Sequence, residues 1–379
     1  TGKQFLANNP DIESVDLLIP DLNGVMFQAF HYFLPWDPSQ PLWDFLATEA
    51  DHLREIGIDA VWIPPPCKCQ GGTWSVGYDV FDHFDLGEFD QYKTIPTRYG
   101  SKDQLHAAIN ALHGYALQGQ TLVPLGKRYL QVYVDVVMNQ KFGGDEETTG
   151  WDAIRVDPAD RTKERWGQGY ECGRIHVVPW TDFRTTARGS TYSSFRWSAR
   201  HFSAVDSVKQ IEQDGRIFQD PESKYIYRFL HNEAGWEPHD KSFSSWVSHE
   251  KGNFDFLCGA DIDYGRYDVR EEMKYWGTWL TRTIGADGFR LDAVKHFDAG
   301  YAREWIGHVR AQAGHSLFCV GEHLSSAVEV LHRYLTEVTA AGPFPQDVSL
   351  FDFPLRFQFR DASWKGEAFD LRGLGAGTL

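Results

Sequence analysis

The stretch GADGFRLDAVKHF at residues 285–297 decides the fold, and LFCVGEHL at residues 317–324 complements it. In the first stretch the side chains alternate as in a β-strand, so Arg290 and Asp292 point to the same side. A guanidinium two residues from a carboxylate favours the ionised form, so we expect a lowered pKa for Asp292. The second stretch is an apolar strand that ends in Glu322, where partial burial favours the protonated acid.

Two carboxyl groups in opposite protonation states match the requirements of glycosidic bond cleavage, which uses one ionised nucleophile and one protonated acid. Asp292 and Glu322 are the two candidates, and Arg290 would orient the first of them. For an isolated Arg-x-Asp pair, a buried salt bridge at a strand end is the more frequent explanation. The local pattern alone therefore leaves both readings open.

The residues GFRLDAVKH at positions 288–296, followed by VGE at positions 320–322, resemble two signature regions of the α-amylase family of glycoside hydrolases. The resemblance implies that Asp292 is the nucleophile, Glu322 the acid/base and Arg290 the partner of the nucleophile. It also implies that Lys295 and His296 bind substrate, with Lys295 at the leaving-side sugar. This Lys-His pair is typical of α-amylases rather than of the exo-glucosidases of the family.

Two further segments resemble family signatures. The sequence DVVMN at residues 135–139 resembles the region that ends the third barrel strand, but Gln140 follows where the family has histidine. Glutamine can donate and accept hydrogen bonds, but it cannot carry the positive charge of a histidine. Tyr78, in the context VGYD, resembles the tyrosine that stacks on the sugar in the cleavage subsite. We therefore expect Tyr78 and Gln140 to be substrate-binding residues.

The resemblance also implies one structural calcium ion. Its ligands would be the side chains of Asn139, Asp255 and Asp261 and the backbone carbonyl of His296. These are hard oxygen donors of the type that Ca²⁺ prefers. On its own, a run of aspartates before a helix is more often a set of N-caps. Gly265 and Ser244-Ser245 stand where further acidic ligands would be needed, so a multi-ion cluster is not expected.

The order of predicted elements indicates an α/β fold, a (β/α)8 TIM-type barrel that is incomplete at about six βα units. Short apolar strands are predicted at residues 25–30, 60–63, 131–137, 288–292, 318–322 and 349–353, with helical spacing between most of them. The alternation breaks after the third strand, where an irregular, β-rich insertion is expected. The predicted domains are residues 1–138 (barrel, first part), 139–253 (insertion) and 254–379 (barrel, second part).

Two features depart from the family pattern. Residues 115–129 form an extra segment before the third strand, which we expect to be a long loop on the bottom face of the barrel. The chain also stops before the signature that follows the seventh strand and supplies a third catalytic aspartate. Two missing βα units would leave the first and sixth strands as open edges.

The composition limits the classes of binding partner that we expect for the protein. The formal charge of −16 over 379 residues argues against nucleic acid and anionic membranes, whereas a neutral α-glucan or maltooligosaccharide is compatible with it. No apolar run is long enough for a transmembrane helix. Five cysteines without framework spacing favour a cytoplasmic protein, with secretion after removal of a signal peptide as the alternative. Oligomeric state is not readable from the sequence.

The sequence thus predicts a glycoside hydrolase of the α-amylase type, which cleaves α-1,4-glucosidic bonds internally and with retention. The alternative is a non-catalytic or degenerate α-glucan-binding member, favoured by Gln140 and by the missing third aspartate. A transglycosylase with the same carboxyl pair is a third reading, since the two reactions differ only in the acceptor.

Overall fold

The computed structural model describes residues 24–163, 174–219, 225–230, 241–339 and 348–379. The strands are β1 (Met26–Gln28), β2 (Ala60–Ile63), β3 (Lys68–Cys69), β4 (Val80–Asp82), β5 (Tyr115–Gln118), β6 (Thr121–Pro124), β7 (Gln131–Val136), β8 (Gln140–Lys141), β9 (Asp145–Glu146), β10 (Trp151–Val156), β11 (Ile175–Asp182), β12 (Phe202–Val205), β13 (Val208–Gln213), β14 (Arg216–Phe218), β15 (Ile226–Phe229), β16 (Ala260–Ile262), β17 (Gly288–Leu291), β18 (Phe318–Gly321) and β19 (Ser349–Leu350). The helices are α1 (Leu42–Glu55), α2 (Lys102–His113), α3 (Tyr267–Ile284), α4 (Ala299–Ala313), α5 (Val328–Thr339) and α6 (Phe353–Lys365). Within these ranges no helix has the length and apolar character needed to cross a bilayer.

Six parallel strands form the sheet that carries the barrel, in the order β1-β2-β7-β17-β18-β19. Helices connect consecutive strands of this sheet, which is the connection that parallel pairing requires. β7, β17 and β18 are buried along nearly all of their length, as expected for strands covered on both faces. The sheet is a curled part of a (β/α)8 barrel with six strands, as predicted from the sequence.

The helices follow from spacing and caps that are visible in the sequence. In α3 the buried side chains Val269, Met273, Trp276 and Leu280 recur every three or four residues and face the sheet. At the start of α2, Ser101 and Gln104 form a reciprocal capping box. Glycines in the left-handed conformation end α2, α3 and α4.

A second sheet of nine strands follows the third barrel strand. Its main path is β14-β13-β11-β10-β15-β12-β16-β8, and β9 pairs with β11. Its pairings are antiparallel, and a small core of residues such as Ile154, Phe256 and Leu230 lies beside the main core. β8 and β16 tie this sheet to the chain on either side of the insertion. The domain boundaries given above stay a prediction.

Three local expectations were wrong in detail. The first strand is not buried, because β1 pairs only with β2 and leaves Phe27 41% exposed. The extra segment before β7 is not a simple loop, since β5 and β6 pair as an antiparallel hairpin through residues 115–124. The sixth strand is shorter than predicted, because Asp352 already caps the N-terminus of α6.

Candidate active site

Asp292 and Glu322 follow directly after neighbouring parallel strands, β17 and β18. The register pairs Leu291 with Gly321, so the next residue of each strand lies at the same level. The backbone hydrogen bonds continue this alignment, since the Glu322 N–H donates to the Leu291 carbonyl at 2.9 Å. Asp292 is joined in the same way to Val136 of β7 at 3.0 Å. The two predicted carboxyl groups therefore leave the same end of the sheet side by side.

The guanidinium of Arg290 brings three carboxyl groups together. Its Nη1 donates to Asp292 Oδ1 at 2.6 Å and to Asp135 Oδ1 at 2.7 Å, while Nη2 donates to Glu322 Oε2. The register explains the contact with Asp135, because Arg290 of β17 pairs with Asp135 of β7. Burial disfavours the cation, yet the three acidic neighbours raise the pKa of Arg290. The cluster holds one positive charge against three ionisable acids.

The expected lowering of the Asp292 pKa was wrong in direction. Burial raises the pKa of Asp292 to about 7; the charges of Asp135 and Glu322 act in the same sense, and only Arg290 opposes them. The sequence showed the arginine but neither the depth of the site nor the third carboxyl group. Glu322 is the more open member of the pair, with 29% of its side chain exposed against 9% for Asp292.

Asp135 is a member of the site to which sequence reasoning gave no role. The residue is 1% exposed, and its Oδ2 accepts from Tyr78 Oη at 2.9 Å and from Trp62 Nε1 at 3.2 Å. Burial raises the pKa of Asp135, against the influence of Arg290. A carboxylate within an otherwise apolar strand was the available signal, since a buried charge requires a partner. Asp135 fixes the tyrosine and the guanidinium relative to each other.

Aromatic rings surround this cluster. The Arg290 guanidinium lies 5.1 Å from the ring centre of Trp62 and 5.9 Å from that of Tyr78. Phe351, which follows β19, stacks on Trp62 at 5.3 Å and 30°. Tyr78 thus lies beside the carboxyl cluster, as its predicted role requires. Trp62 and Phe351 were not singled out from the sequence, because apolar strands predict ordinary core packing at both positions.

Gln140 lies beside Tyr78 but is 3% exposed. Its Nε2 donates to the Tyr78 carbonyl at 3.1 Å, and its backbone pairs with Asp261 across β8 and β16. Its side-chain oxygen has no hydrogen-bond partner among the described residues. The amide therefore supports the tyrosine loop through its nitrogen and leaves one acceptor unused.

Lys295 and His296 lie in the turn after β17, and both side chains are buried. Lys295 Nζ donates to both carboxylate oxygens of Glu250, at 2.9 and 3.1 Å, and to the Leu324 carbonyl at 3.0 Å. His296 Nδ1 lies 2.8 Å from the Phe254 carbonyl, and burial lowers the pKa of His296 to about 3. Glu250 comes from the insertion, 45 residues away in sequence, and was not predicted.

The candidate calcium ligands gather where β7 leads into β8 and meets β16. Asp255 and Asp261 are buried; burial raises the pKa of Asp255 well above its usual value and that of Asp261 to about 8. After burial, the charge of Asp261 is the largest influence that raises the pKa of Asp255. Both amide atoms of Asn139 are buried without a hydrogen-bond partner. Within the described ranges, no three His, Cys, Asp or Glu side chains already form a metal-binding group.

These ligands fit an oxygen-coordinated cation by their chemistry. An unpartnered buried amide oxygen and two buried carboxyl groups are costly, and a cation would satisfy the oxygen atoms of all three side chains. The guanidinium of Arg161 lies over the Phe254 ring at 4.2 Å and interacts electrostatically with both aspartates. One guanidinium does not supply partners for the Asn139 oxygen, which remains the strongest indication of a bound ion.

Two more aromatic residues lie close together in loops that precede Tyr78 in the chain. Trp36 follows β1 and Trp74 lies between β3 and β4, and their rings are 5.7 Å apart. Trp74 is 75% exposed. Arg98 donates to the carbonyls of Trp74 and Leu34, and these hydrogen bonds join the loop of Trp74 to the loop after β1. Sequence reasoning missed both, although tryptophan in a polar loop between two barrel strands was the available signal.

The fold and the site together define a class, incomplete (β/α)8 barrels with paired carboxyl groups after neighbouring strands. Among curated proteins, an alpha-amylase from Bacillus licheniformis is 38% identical over 359 residues, which are 95% of this chain and 61% of that protein. The cytoplasmic alpha-amylase of Escherichia coli (strain K12) is 38% identical over 360 residues, 94% of this chain and 63% of that protein. The chain belongs to the α-amylase family.

The chain spans about three fifths of the length of these curated relatives. No protein-family model matches it. Among solved structures, a variant of alpha-amylase I from Eisenia fetida in complex with maltohexaose has a TM-score of 0.52, with 16% identity over 94% of this chain and 55% of that chain. At this level of identity the likeness concerns the fold alone, and it agrees with an incomplete barrel.

Proposed function

We propose that the protein hydrolyses α-1,4-glucosidic bonds inside starch- or glycogen-type glucans, with retention of the anomeric configuration. The observation that carries this proposal is the side-by-side position of Asp292 and Glu322, joined by the single guanidinium of Arg290. Retaining cleavage requires carboxyl groups roughly 5–5.5 Å apart, because one of them attacks the sugar directly. Residues on neighbouring parallel strands, which lie about 4.8 Å apart, are suited to that separation.

The roles follow from exposure and contacts. Asp292, the deeper group, attacks the anomeric carbon after losing its proton, and Arg290 stabilises the resulting carboxylate. Glu322, the more exposed group, first donates a proton to the leaving oxygen and then accepts one from water. Glu322 is bound to Arg290 without substrate, so the sugar must separate this contact on entry. Asp135 is a positioning residue for Arg290 and Tyr78.

The substrate is held by aromatic faces and by one lysine. Tyr78 would stack on the sugar at the cleavage point, with Gln140 supporting its loop. Trp36 and Trp74 would extend the platform along the rim. Lys295 would bind the leaving-side sugar, in competition with its present partner Glu250. His296 is neutral at physiological pH and shapes the same turn.

We also propose that Asn139, Asp255, Asp261 and the His296 carbonyl hold one Ca²⁺. The support is the unpartnered Asn139 amide beside two buried carboxyl groups. The ion would neutralise the acids and join β7 to the insertion, which covers the barrel end. A cytoplasmic location is proposed from the free state of Cys67, Cys69, Cys258 and Cys319, the cysteines that the structure describes.

The test is hydrolysis of amylose and maltoheptaose, followed by reducing ends and by NMR of the first product anomer. We expect α-anomers first, and at least a thousandfold loss of kcat in both Asp292→Asn and Glu322→Gln. Glu272→Gln, a partly buried acid that hydrogen-bonds Ser193 outside the cluster, is the matched control and should keep its activity. β-Anomers as first products would contradict the retaining mechanism.

The same experiment addresses the alternative function, an α-glucan-binding member without catalysis. The buried Gln140, whose amide nitrogen is occupied by the Tyr78 carbonyl, is the feature of this chain that favours it. Maltoheptaose binding of equal strength in wild type and Asp292→Asn, with no turnover in either, would establish the alternative. Longer transfer products that form without an increase in the number of reducing ends would instead identify a transglycosylase.

A further inference from the structure

A cavity of about 420 Å³ lies on the outer wall of the barrel, where the insertion crosses the beginning of α4. Its lining comes from the loop at Ser245 and Trp246 and from polar residues of α3 and α4. None of the proposed catalytic, substrate-binding or calcium-binding residues lines it. Its volume is within the roughly 300–1,000 Å³ that small-molecule sites occupy.

Trp246 is the aromatic wall of this cavity, and it is 51% exposed. A Cβ added to Gly300 would lie 3.0 Å from two ring carbons, so the indole packs directly on the backbone of α4. A Cβ at this position would force the indole to shift by a few tenths of an ångström, and about half of Trp246 stays exposed. Unlike a single exposed indole on a flat surface, Trp246 lines a cavity, so a ligand bound there would cover the apolar surface of the ring.

Hydrogen bonds fix the loop that presents the ring. The Trp246 carbonyl accepts from the Ala299 N–H at 3.0 Å, and the Trp246 N–H donates to Ser244 Oγ at 3.0 Å. Ser244 Oγ in turn donates to Asp298 Oδ2 at 2.7 Å. Hydrogen bonds therefore fix the backbone of Trp246 at both its N–H and its carbonyl group, and this holds the ring in position. A platform fixed in advance loses little conformational entropy when a ligand binds.

The polar wall of the cavity carries equal numbers of positive and negative side chains. It contains two guanidinium groups, Arg270 and Arg303, and two carboxyl groups, Asp298 and Glu304. Arg270 bonds Glu304, which also accepts from Lys274 Nζ at 2.9 Å, so these polar groups are held in fixed positions. Arginine offers only donors and carboxylate only acceptors, which together match the hydroxyls of a sugar. An anionic ligand would gain nothing from a wall without net charge.

We infer that Trp246 and the polar wall of this cavity form an accessory binding site for a neutral α-glucan, outside the cleft that holds Asp292 and Glu322. The ring supplies the flat apolar face on which the C–H face of a glucosyl unit packs. Arg270, Arg303 and Asp298 surround that face with donors and acceptors. Because the ligand is the glucan of the proposed function, the inference rests on that proposal.

The test is calorimetric titration with maltoheptaose of the protein carrying Glu322→Gln, which prevents cleavage during the measurement. We expect two binding events. Trp246→Ala in this background removes one event, and Tyr78→Ala removes the other. Gly300→Ala, which keeps every ring but displaces the indole, should weaken the accessory event by about threefold to tenfold.

The matched control is Trp364→Ala. Trp364 is also an exposed indole with an arginine nearby, Arg360, whose guanidinium lies 4.8 Å from its ring centre, but it lies on α6 and does not line this cavity. This variant should keep both binding events.

The outcomes separate the two proposals. A single event that Tyr78→Ala abolishes and Trp246→Ala leaves unchanged overturns the accessory site and leaves the proposed function intact. A single event that only Trp246→Ala abolishes supports the accessory site and contradicts glucan binding in the cleft. The absence of any maltoheptaose binding overturns both.

Discussion

Two buried acidic clusters in this molecule handle their charge in different ways. In the cluster that we propose to be catalytic, Arg290 donates to Asp135, Asp292 and Glu322. In the candidate calcium cluster, the Ser244 N–H donates to Asp255 and Ser203 Oγ donates to Asp261. The counter-charge of the first cluster is therefore bonded directly to its carboxyl groups, whereas neutral groups donate to those of the second.

The difference shows in the hydrogen bonds. Every carboxyl group of the catalytic cluster has a donor, and Asp135 has three. In the other cluster both amide atoms of Asn139 are buried without a partner. Buried polar atoms are rarely left unpaired in native proteins. Where side chains of the site donate to every carboxyl group, they can orient a reacting carboxylate. Where a buried polar atom has no hydrogen-bond partner, the site is suited to binding an ion.

The largest expected effect comes from removing the internal counter-charge. Arg290→Met leaves three neighbouring acids without their cation, and breaking a buried ion pair in this way costs about 3–5 kcal/mol of the free energy of unfolding. Activity should fall by more than a thousandfold. Denaturant unfolding and amylose hydrolysis measure the two effects. Arg188→Met, which removes another buried guanidinium bonded to Asp82 at 2.7 Å, should lose stability yet keep the activity of its folded fraction.

The second prediction tests the proposed calcium ion at the other cluster. Ca²⁺ at a hundred times its Kd should stabilise the protein by about 2.7 kcal/mol, and EDTA should reverse the gain in Tm. Asp261→Asn should abolish the response. Asp206→Asn, which alters another partly buried carboxyl group bonded to Gly259 N–H, should retain it. A Tm that does not respond to Ca²⁺ or EDTA in the wild type would contradict the calcium site.

The framework of both clusters could be predicted because it depends on local pattern. Apolar strands, helical spacing and glycine caps lie within a few residues of each other, and parallel pairing then aligns the strand ends. Asp292 and Glu322 were found in this way, from two short stretches that each end a strand. The extra hairpin at residues 115–124 was missed, since its strands have weak alternation.

What the sequence did not reveal depends on contacts between distant segments. The contacts of Asp135 with Trp62 and Tyr78 span 73 and 57 residues. The Glu250–Lys295 pair spans 45 residues. The raised pKa of Asp292 is a sum of burial and several charges, of which only the Arg290 contribution was readable. The burial of a site and the number of charges around it are set by the folded chain, so neither could be read from the sequence.

The third prediction uses that raised pKa. A carboxyl group whose pKa rises from 3.8 to about 7 on folding keeps its proton in the native state, so its contribution to stability falls as the pH increases through this window. Asp292→Asn lacks this carboxyl group, so its stability does not fall with rising pH for this reason. Relative to wild type, the variant should gain about 4 kcal/mol between pH 4 and pH 7.5. Urea unfolding across this range measures it, and Asp59→Asn, at a surface pair with Arg128, should show no comparable gain.

The smallest effect concerns the contact between the insertion and the barrel. Glu250 occupies donors of Lys295 that the leaving-side sugar would need, and 49% of the Glu250 side chain is exposed. Glu250→Gln weakens this competition, so KM for maltoheptaose should fall by up to about fivefold, which corresponds to the 0–1 kcal/mol of a partly exposed ion pair. Glu88→Gln, which alters a similar pair with Lys102 outside the cluster, should leave KM unchanged. If KM instead rises in Glu250→Gln, the carboxylate holds Lys295 in its binding position rather than competing with the sugar. The insertion would then orient the leaving-side subsite directly.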